Sequence, residues 1–146
     1  MKKLTLLVVA ILMAVPAGAR DLGLGPAGLL AGSNKEELEP LMLGSGKPVA
    51  TTDYVLTSGT YYELTIEADG TETLALTGGD FFRAVWVDTI ETESGTIWPV
   101  GMNGIEMGDE GEMTLSFIAI VPGRYTLSIP GSRGETQRAV FNIIGQ

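Results

Sequence analysis

Residues 61–70 read Tyr-Tyr-Glu-Leu-Thr-Ile-Glu-Ala-Asp-Gly, and this stretch decides the fold. From Tyr62 to Ala68 every second side chain is apolar, and mostly polar side chains stand between them. Because successive side chains of a β-strand point to opposite faces of a sheet, this alternation predicts a strand with one buried face. The pair Asp69-Gly70 at its end is typical of a turn.

The same period of two continues towards the C-terminus. Further apolar faces are predicted at Met113, Leu115, Phe117 and Ala119, at Tyr125, Leu127 and Ile129, and at Phe141 and Ile143. Other strands are predicted at 81–87, 97–100 and 104–107. Many short strands joined by Gly/Pro turns such as Pro122-Gly123 predict an all-β fold, an antiparallel sandwich or barrel.

The first 19 residues have the order of a secretory signal peptide. Lys2 and Lys3 form a basic start, an apolar run extends from Leu4 to Val15, and small residues follow at 17–19. The apolar run is shorter than the roughly 20 residues that a membrane-spanning helix needs. We therefore predict export to the periplasm or the medium, cleavage before Arg20, and no stable membrane anchor afterwards.

Residues 20–47 are predicted to form a flexible, Gly-rich arm and linker, because repeated glycine disfavours helices and strands. Within this segment, residues 34–38 can form one helical turn with Asn34 as its N-cap. Pro40 then ends the turn. The folded domain is predicted to span residues 48–146.

The C-terminal third resembles a cupredoxin. Residues 117–125 read Phe-Ile-Ala-Ile-Val-Pro-Gly-Arg-Tyr, similar to the family's aromatic strand leading into a Pro-Gly-x-Tyr turn. Residues 126–131 stand where cupredoxins carry the strand and loop of their copper-binding Cys-His-Met set, and residues 139–143 resemble the closing strand. Residues 82–85 resemble the segment that carries the first copper histidine. The resemblance covers residues 49–144 and implies an antiparallel Greek-key β-sandwich that is cupredoxin-like.

The residue inventory departs from the copper-binding members of that family. The sequence contains no His and no Cys, and Arg83 stands about where the first histidine would be. A type 1 copper centre needs two imidazoles and a thiolate. The resemblance therefore implies a cupredoxin-like domain without a type 1 copper site, and we predict no cofactor.

The charge balance and the missing histidine also bear on function. Eighteen Asp and Glu stand against nine Lys and Arg, and such an acidic surface repels nucleic acid. Nucleophilic catalysis with an imidazole base has no histidine to use. Paired carboxylates can carry out glycoside hydrolysis, and Asp80, Asp88, Glu91 and Glu93 are close in sequence, but this closeness does not establish the required separation. We predict a protein that is not an enzyme and has no catalytic residues.

Two sets of side chains offer a metal-binding alternative. Thioethers suit Cu(I), which makes Met102, Met107 and Met113 candidate ligands, although Met113 alternates with core positions and Met often fills gaps in a core. Carboxylates suit hard cations. The carboxylate set is Glu106, Asp109, Glu110 and Glu112. The interpretation we favour for residues 109–111 is a hairpin turn with solvated flanks.

Aromatic and cationic side chains supply the favoured contact surface. Because neighbouring residues of a strand point to opposite faces, one of Phe81 and Phe82 is expected to be exposed beside Arg83. The predicted partner-binding residues are Phe81, Phe82, Arg83, Trp86, Arg133 and Arg138. The first hypothesis is an exported, non-enzymatic binding domain for a partner protein of the cell envelope. The alternatives are a periplasmic metal-binding module, and a carbohydrate-binding or structural envelope domain that uses exposed aromatics such as Trp98.

Overall fold

A computed structural model describes residues 28–146, so the predicted signal peptide and the first part of the predicted arm lie outside the described residues. Within this range the chain forms eleven strands and one short α-helix. The strands are β1 (Lys35–Glu37), β2 (Leu41–Leu43), β3 (Tyr54–Thr57), β4 (Tyr61–Asp69), β5 (Leu74–Thr77), β6 (Val85–Thr92), β7 (Gly95–Ile97), β8 (Gly104–Met107), β9 (Glu110–Ala119), β10 (Gly123–Ser128) and β11 (Arg138–Ile144), and the helix is α1 (Gly79–Ala84). In the described part of the chain, no helix has the length and apolar character needed to cross a membrane.

The strands form two sheets. One has the order β1-β4-β9-β6-β7, with β2 also paired to β4, and the other has the order β3-β11-β10-β5-β8. The pairings of β1 with β4, β2 with β4 and β3 with β11 are parallel, and the others are antiparallel. The predicted all-β sandwich is therefore confirmed, with sheets that are mixed instead of wholly antiparallel.

The core lies between the two sheets and follows the predicted alternation. On β4 the side chains from Tyr62 to Ala68 at every second position are buried, and on β9 Leu115 and Phe117 are fully buried. Leu127 and Phe141 join the same cluster from the other sheet. Burial of apolar surface on this scale supplies most of the free energy of folding.

The chain before residue 48 contributes to the sandwich, which corrects the predicted arm and linker for residues 35–43. In place of a helical turn there is a short strand, β1, which pairs with the first three residues of β4. The strand β2 pairs with residues 66–68, close to the end of β4. Leu41 and Leu43 are buried in the core. Asn34 does not act as an N-cap, because a strand and not a helix begins at Lys35. Its side-chain amide instead donates to the carbonyl oxygens of Leu29 and Gly59.

The second correction concerns the predicted strand at residues 81–87. Residues 79–84 form α1, and β6 begins only at Val85. A helical turn lets both Phe81 and Phe82 reach the core, where their rings meet edge to face with centroids 5.4 Å apart. Gly78 permits this entry, because a Cβ there would collide with the carbonyl oxygen of Thr126.

Two shorter predictions also change. The predicted hairpin turn at residues 109–111 instead lies where the chain passes between sheets, because β8 belongs to the five-stranded sheet and β9 to the six-stranded one. The predicted strand at 97–100 is displaced, since β7 ends at Ile97. Short segments of three or four residues carry too few side chains to define a period.

An ion pair ties the loop after β2 to the end of β4. The ammonium nitrogen of Lys47 lies 2.7 Å from Asp69 Oδ2. The backbone N–H and the hydroxyl of Thr71 both donate to Asp69 Oδ1, at 3.0 and 2.6 Å. The hydrogen bonds from Lys47 and Thr71 lower the pKa of the Asp69 carboxyl from 3.8 to about 2.

This pKa shift implies an acid-sensitive contribution to stability. Because the folded-state pKa of Asp69 is depressed, the ionised carboxylate stabilises the fold above the unfolded value of 3.8, and this is lost as the pH falls towards about 2. We expect the melting temperature of the Lys47→Met variant to fall less steeply across that window than that of the wild type, as measured by calorimetry. Arg133→Met removes an exposed cation that forms no ion pair within residues 28–146, and it should keep the wild-type slope. Equal slopes for the Lys47 variant and the wild type would contradict the assignment.

Candidate functional site

Some of the predicted partner-binding residues are buried in the structure and others are exposed. Phe81 and Phe82 are 0% and 8% exposed, so they belong to the core and cannot offer their rings to a partner. This corrects the prediction for both residues, and its cause is the helical turn of α1. Arg83, by contrast, is exposed on α1, and Trp86 is 46% exposed on β6.

The other two predicted residues lie elsewhere. Arg133 is exposed in the loop after β10, and Arg138 begins β11, where it forms an ion pair with Glu135. Arg83 lines a polar cleft and Trp86 lines an apolar groove, and neither cavity contains Arg133 or Arg138 among its lining residues. The predicted set is therefore not one surface.

The apolar groove has a volume of about 520 Å³. It is lined by Leu29, Leu30, Ser58, Gly59, Trp86, Ile118, Ala119 and Ile120. Trp86 lies directly opposite Ile118 across the β6–β9 pairing, so the indole packs beside an aliphatic neighbour on the outer face of the six-stranded sheet. Leu29, Leu30 and Ile120 are exposed around it. Four large apolar side chains thus face solvent at one place.

Hydrogen bonds hold the backbone of this groove. The Asn34 amide donates to the carbonyl of Leu29 at 2.9 Å. Ser58 Oγ donates to the carbonyl of Ile120 at 2.6 Å, and the backbone N–H of Gly59 donates to the carbonyl of Ala119 at 2.8 Å. A contact surface on a fixed backbone loses little conformational entropy on binding. The groove is therefore organised before any partner arrives.

The polar cleft has a volume of about 540 Å³ and lies beside α1 and β10. It is lined by Thr77, Gly78, Gly79, Asp80, Arg83, Ala84, Asn103, Val121, Arg124, Tyr125, Thr126 and Ser128. Arg83 forms an ion pair with Asp80 on the same helix. Arg124 lies 3.3 Å from Asp53 and 3.2 Å from the side-chain oxygen of Asn142. Exposed pairs of this kind contribute little to stability and exchange partners easily.

Sequence reasoning missed several residues of these two cavities. Ile120 follows the last residue of β9 and falls outside the alternating pattern. Leu29 and Leu30 stand in a Gly-rich segment that predicted no structure. Arg124 and Asn103 carry no local signal, because the cleft is made by elements distant in sequence. The one local signal for an exposed apolar surface is the pair Ile120 and Val121 before Pro122, because apolar side chains next to a turn have no strand to bury them.

The candidate Cu(I) ligands lie on different elements. Met102 is in the loop after β7, Met107 ends β8 in one sheet, and Met113 is on β9 in the other. All three are partly buried and pack against the core. This packing is what a gap-filling role requires of methionine.

The carboxylate candidates are likewise dispersed. Glu106 is on β8, whereas Glu110 and Glu112 are on β9, and all are exposed. Among residues 28–146 no group of three or more Asp or Glu side chains comes together in a way that could hold a metal ion. Of the set considered for hydrolysis, Asp80 pairs with Arg83, and Asp88 accepts a hydrogen bond of 3.0 Å from the Tyr61 hydroxyl.

Comparisons with known proteins bear on the fold. No protein-family model matches the sequence, and no curated protein matches it. A copper nitrite reductase from Nitrosomonas europaea matches with a TM-score of 0.50 and 16% identity over 65% of this chain and 33% of that one. A multicopper oxidase from Campylobacter jejuni, described as a metallo-oxidase, matches with a TM-score of 0.48 and 7% identity over 77% of this chain and 30% of that one.

The chain thus spans about a third of the length of the solved copper proteins that it matches. At 16% identity the likeness to the nitrite reductase is one of fold alone. Fold does not determine function, because sites differ among proteins that share a fold. The described part of this chain is a β-sandwich with a cupredoxin-like fold.

Proposed function

We propose that this chain is an exported, non-enzymatic, cupredoxin-like binding domain without a type 1 copper site, and that it binds a partner protein of the cell envelope. The observation that carries the proposal is the apolar groove, where Trp86 is 46% exposed and shares the lining with the exposed Leu30 and Ile120. Contiguous exposed apolar surface with a rigid aromatic at its centre is typical of protein contact sites.

The chemistry of the groove defines what it binds. Its lining is dominated by aliphatic side chains and one indole, with Ser58 as the single side-chain hydroxyl. The Ser58 hydroxyl is already engaged with the carbonyl of Ile120. Such a surface favours an aliphatic or aromatic side chain of a partner over a charged one, because a charge would lose its hydration without gaining a bond.

The residue inventory supports the part of the proposal that concerns copper. The chain has no imidazole and no thiolate to offer, and these are the ligands on which a type 1 centre depends. Arg83 is exposed on α1 in the segment that resembles the site of the first copper histidine. The proposed location in the envelope rests on the predicted signal peptide at residues 1–19.

Crosslinking from the groove tests the proposal. A photoreactive amino acid placed at residue 86 in the living host should form an adduct with an envelope protein, identified by mass spectrometry. The same label at residue 98 is the control, because Trp98 is 71% exposed but does not line the groove. With the captured protein purified, Trp86→Ala should weaken binding about thirty-fold, the loss expected for an aromatic hot spot, and Trp98→Ala less than about two-fold.

Three results would contradict the proposal. The first is an adduct between residue 86 and residues 20–27 of the same chain, and the second is an adduct with a second copy of the chain. The third is an equal loss of affinity for the purified partner in the Trp86→Ala and Trp98→Ala variants, which would place the contact outside the groove.

A further inference from the structure

The apolar groove lies at one end of the outer face of the six-stranded sheet. Residues directly opposite each other on paired strands share one face of a sheet. Tyr61, Ile118 and Trp86 are opposite one another on β4, β9 and β6, so they form one row across these three strands. Ile118 and Trp86 line the groove. The rows that follow along the strands therefore lead away from the groove over the same face.

The middle of this face carries small polar side chains. Ser116 and Thr114 follow Ile118 on β9, and Thr65 of β4 lies opposite Thr114. The hydroxyls of Thr65 and Thr114 are 3.2 Å apart, and both residues are partly exposed. Within residues 28–146 the one α-helix is α1, and its phenylalanines are buried in the core between the sheets. No described α-helix therefore covers the outer face.

Carboxylates occupy the far end of the face. Glu67 lies opposite Glu112 on the β4–β9 pair, and together with Glu93 and Glu110 they line a cavity of about 440 Å³. None of these four forms an ion pair within the described residues. The strands β4, β6 and β9 contain no Lys or Arg. This end of the face therefore presents negative charge that no neighbouring cation compensates.

The strand β9 sets the distance between the two ends. Ile118 lines the groove and Glu112 lines the acidic cavity, six residues apart on the same strand. At about 3.3 Å per residue, they are about 20 Å apart. Glu63, which lies between the two ends, is already paired with Lys35. A ligand that uses both ends must therefore carry an apolar side chain and cationic groups about 20 Å apart.

The charge of the face distinguishes between possible occupants. A second copy that bound through the same face would bring its carboxylates against other carboxylates or against the apolar groove, and both contacts are unfavourable. Residues 20–27 contain one Arg and one Asp, so they offer no net positive charge. A partner protein with a basic segment complements the face, because its cations meet carboxylates that have no other counter-charge.

We propose that the partner protein binds along this outer face through a segment that places an apolar side chain in the groove and Lys or Arg over the carboxylates about 20 Å away. This binding mode rests on the proposed function, because it uses the same groove, and it adds the chemistry of the partner. The apolar contact supplies most of the affinity, whereas the charges speed association and fix the orientation of the segment.

Binding of a two-ended peptide to the purified chain tests the proposal. The probe is a fluorescent peptide with leucine and tryptophan at one end and two lysines at the other, measured by anisotropy. Its linker of about twelve Gly and Ser residues has a root-mean-square length of about 19 Å. Exchange of the lysines for glutamates should weaken binding more than about ten-fold. Removal of the linker should weaken it about five-fold, because the lysine backbone then stays within about 7 Å of the apolar end.

Substitutions in the chain separate the two ends of the face. Trp86→Ala should weaken binding of the peptide about ten-fold. Glu112→Gln should weaken it about three-fold and reduce its salt dependence between about 0.1 and 1 M, where the screening length falls from about 10 to about 3 Å. Glu106→Gln is the matched control and should have no effect, because Glu106 is an exposed carboxylate of the five-stranded sheet.

The results distinguish failure of this binding mode from failure of the proposed function. Binding that depends on Trp86 but not on the lysines or on Glu112 would overturn the binding mode and leave the groove as the contact site. Binding that depends on the lysines but not on Trp86 would overturn it too, because it would reflect general attraction to an acidic chain. Absence of binding at millimolar peptide would also overturn it. The proposed function fails separately, when a label at residue 86 gives no adduct with an envelope protein.

Discussion

The Phe81→Ala variant is expected to lose about 3–5 kcal/mol of unfolding free energy, the range measured for aromatic residues removed from well-packed cores. Phe81 is fully buried on α1 and touches three other rings. Its centroid lies 5.4 Å from that of Phe82, 5.6 Å from that of Phe117 and 4.5 Å from that of Phe141. The ring thus connects α1 to one residue of each sheet. A neighbouring side chain that moved into its place would lose its own packing contacts.

Urea denaturation measures this loss, with Trp98→Ala as the matched control. Trp98 is also a large aromatic residue but is 71% exposed, so its removal should change stability by less than about 0.5 kcal/mol. Phe81→Leu keeps most of the volume and should fall between the two. A loss below about 1 kcal/mol for Phe81→Ala would contradict the placement of this ring in the core.

The Leu41→Ala variant is expected to lose about 2–5 kcal/mol, because it leaves a cavity under β2. Leu41 is fully buried and pairs in register with Ile66 of β4. A loss of this size would show that residues 35–43 belong to the folded sandwich. In a flexible linker, truncation of a side chain would change the free energy of unfolding very little.

The adjacent residue provides the control for that measurement. Met42 lies on the same short strand but is only partly buried. Met42→Ala should therefore cost clearly less than Leu41→Ala in the same denaturation experiment. Equal small losses for both variants would show that β2 is not part of the cooperative fold.

The sequence was informative where a strand is long enough to show its period. β4 and β9 have nine and ten residues, and they pair with each other along nine residues. On β4 the alternation was confirmed by the burial, and on β9 the predicted face at Leu115, Phe117 and Ala119 lies in the core, although the residues between them are buried as well. β1 and β2 have three residues each. Their pairing with β4 is a long-range event that local pattern cannot reveal, and so the start of the folded domain was misplaced.

The candidate site could be predicted only in part, for a related reason. Trp86 was predicted as a contact residue and is exposed on β6, yet residues that line the groove with it come from the segment before β1 and from the end of β9. Phe81 and Phe82 were misassigned because an apolar run of this length fits a strand and a buried helical turn equally well. Arg124 was missed because the polar cleft that it lines is built from elements distant in sequence, among them α1 and β10, and not from any local motif.

The position of β11 has a consequence for how the protein folds. This last strand lies between β3 and β10, and it pairs in parallel with β3, which is more than eighty residues earlier in the chain. The five-stranded sheet therefore cannot close until residues 138–144 have been synthesised. Pairings between segments so distant in sequence make folding slow, because a large loop must be closed before any contact is gained. Until then the exposed edge of β3 is open to aggregation, so a chaperone that holds the growing chain should raise the yield of native protein.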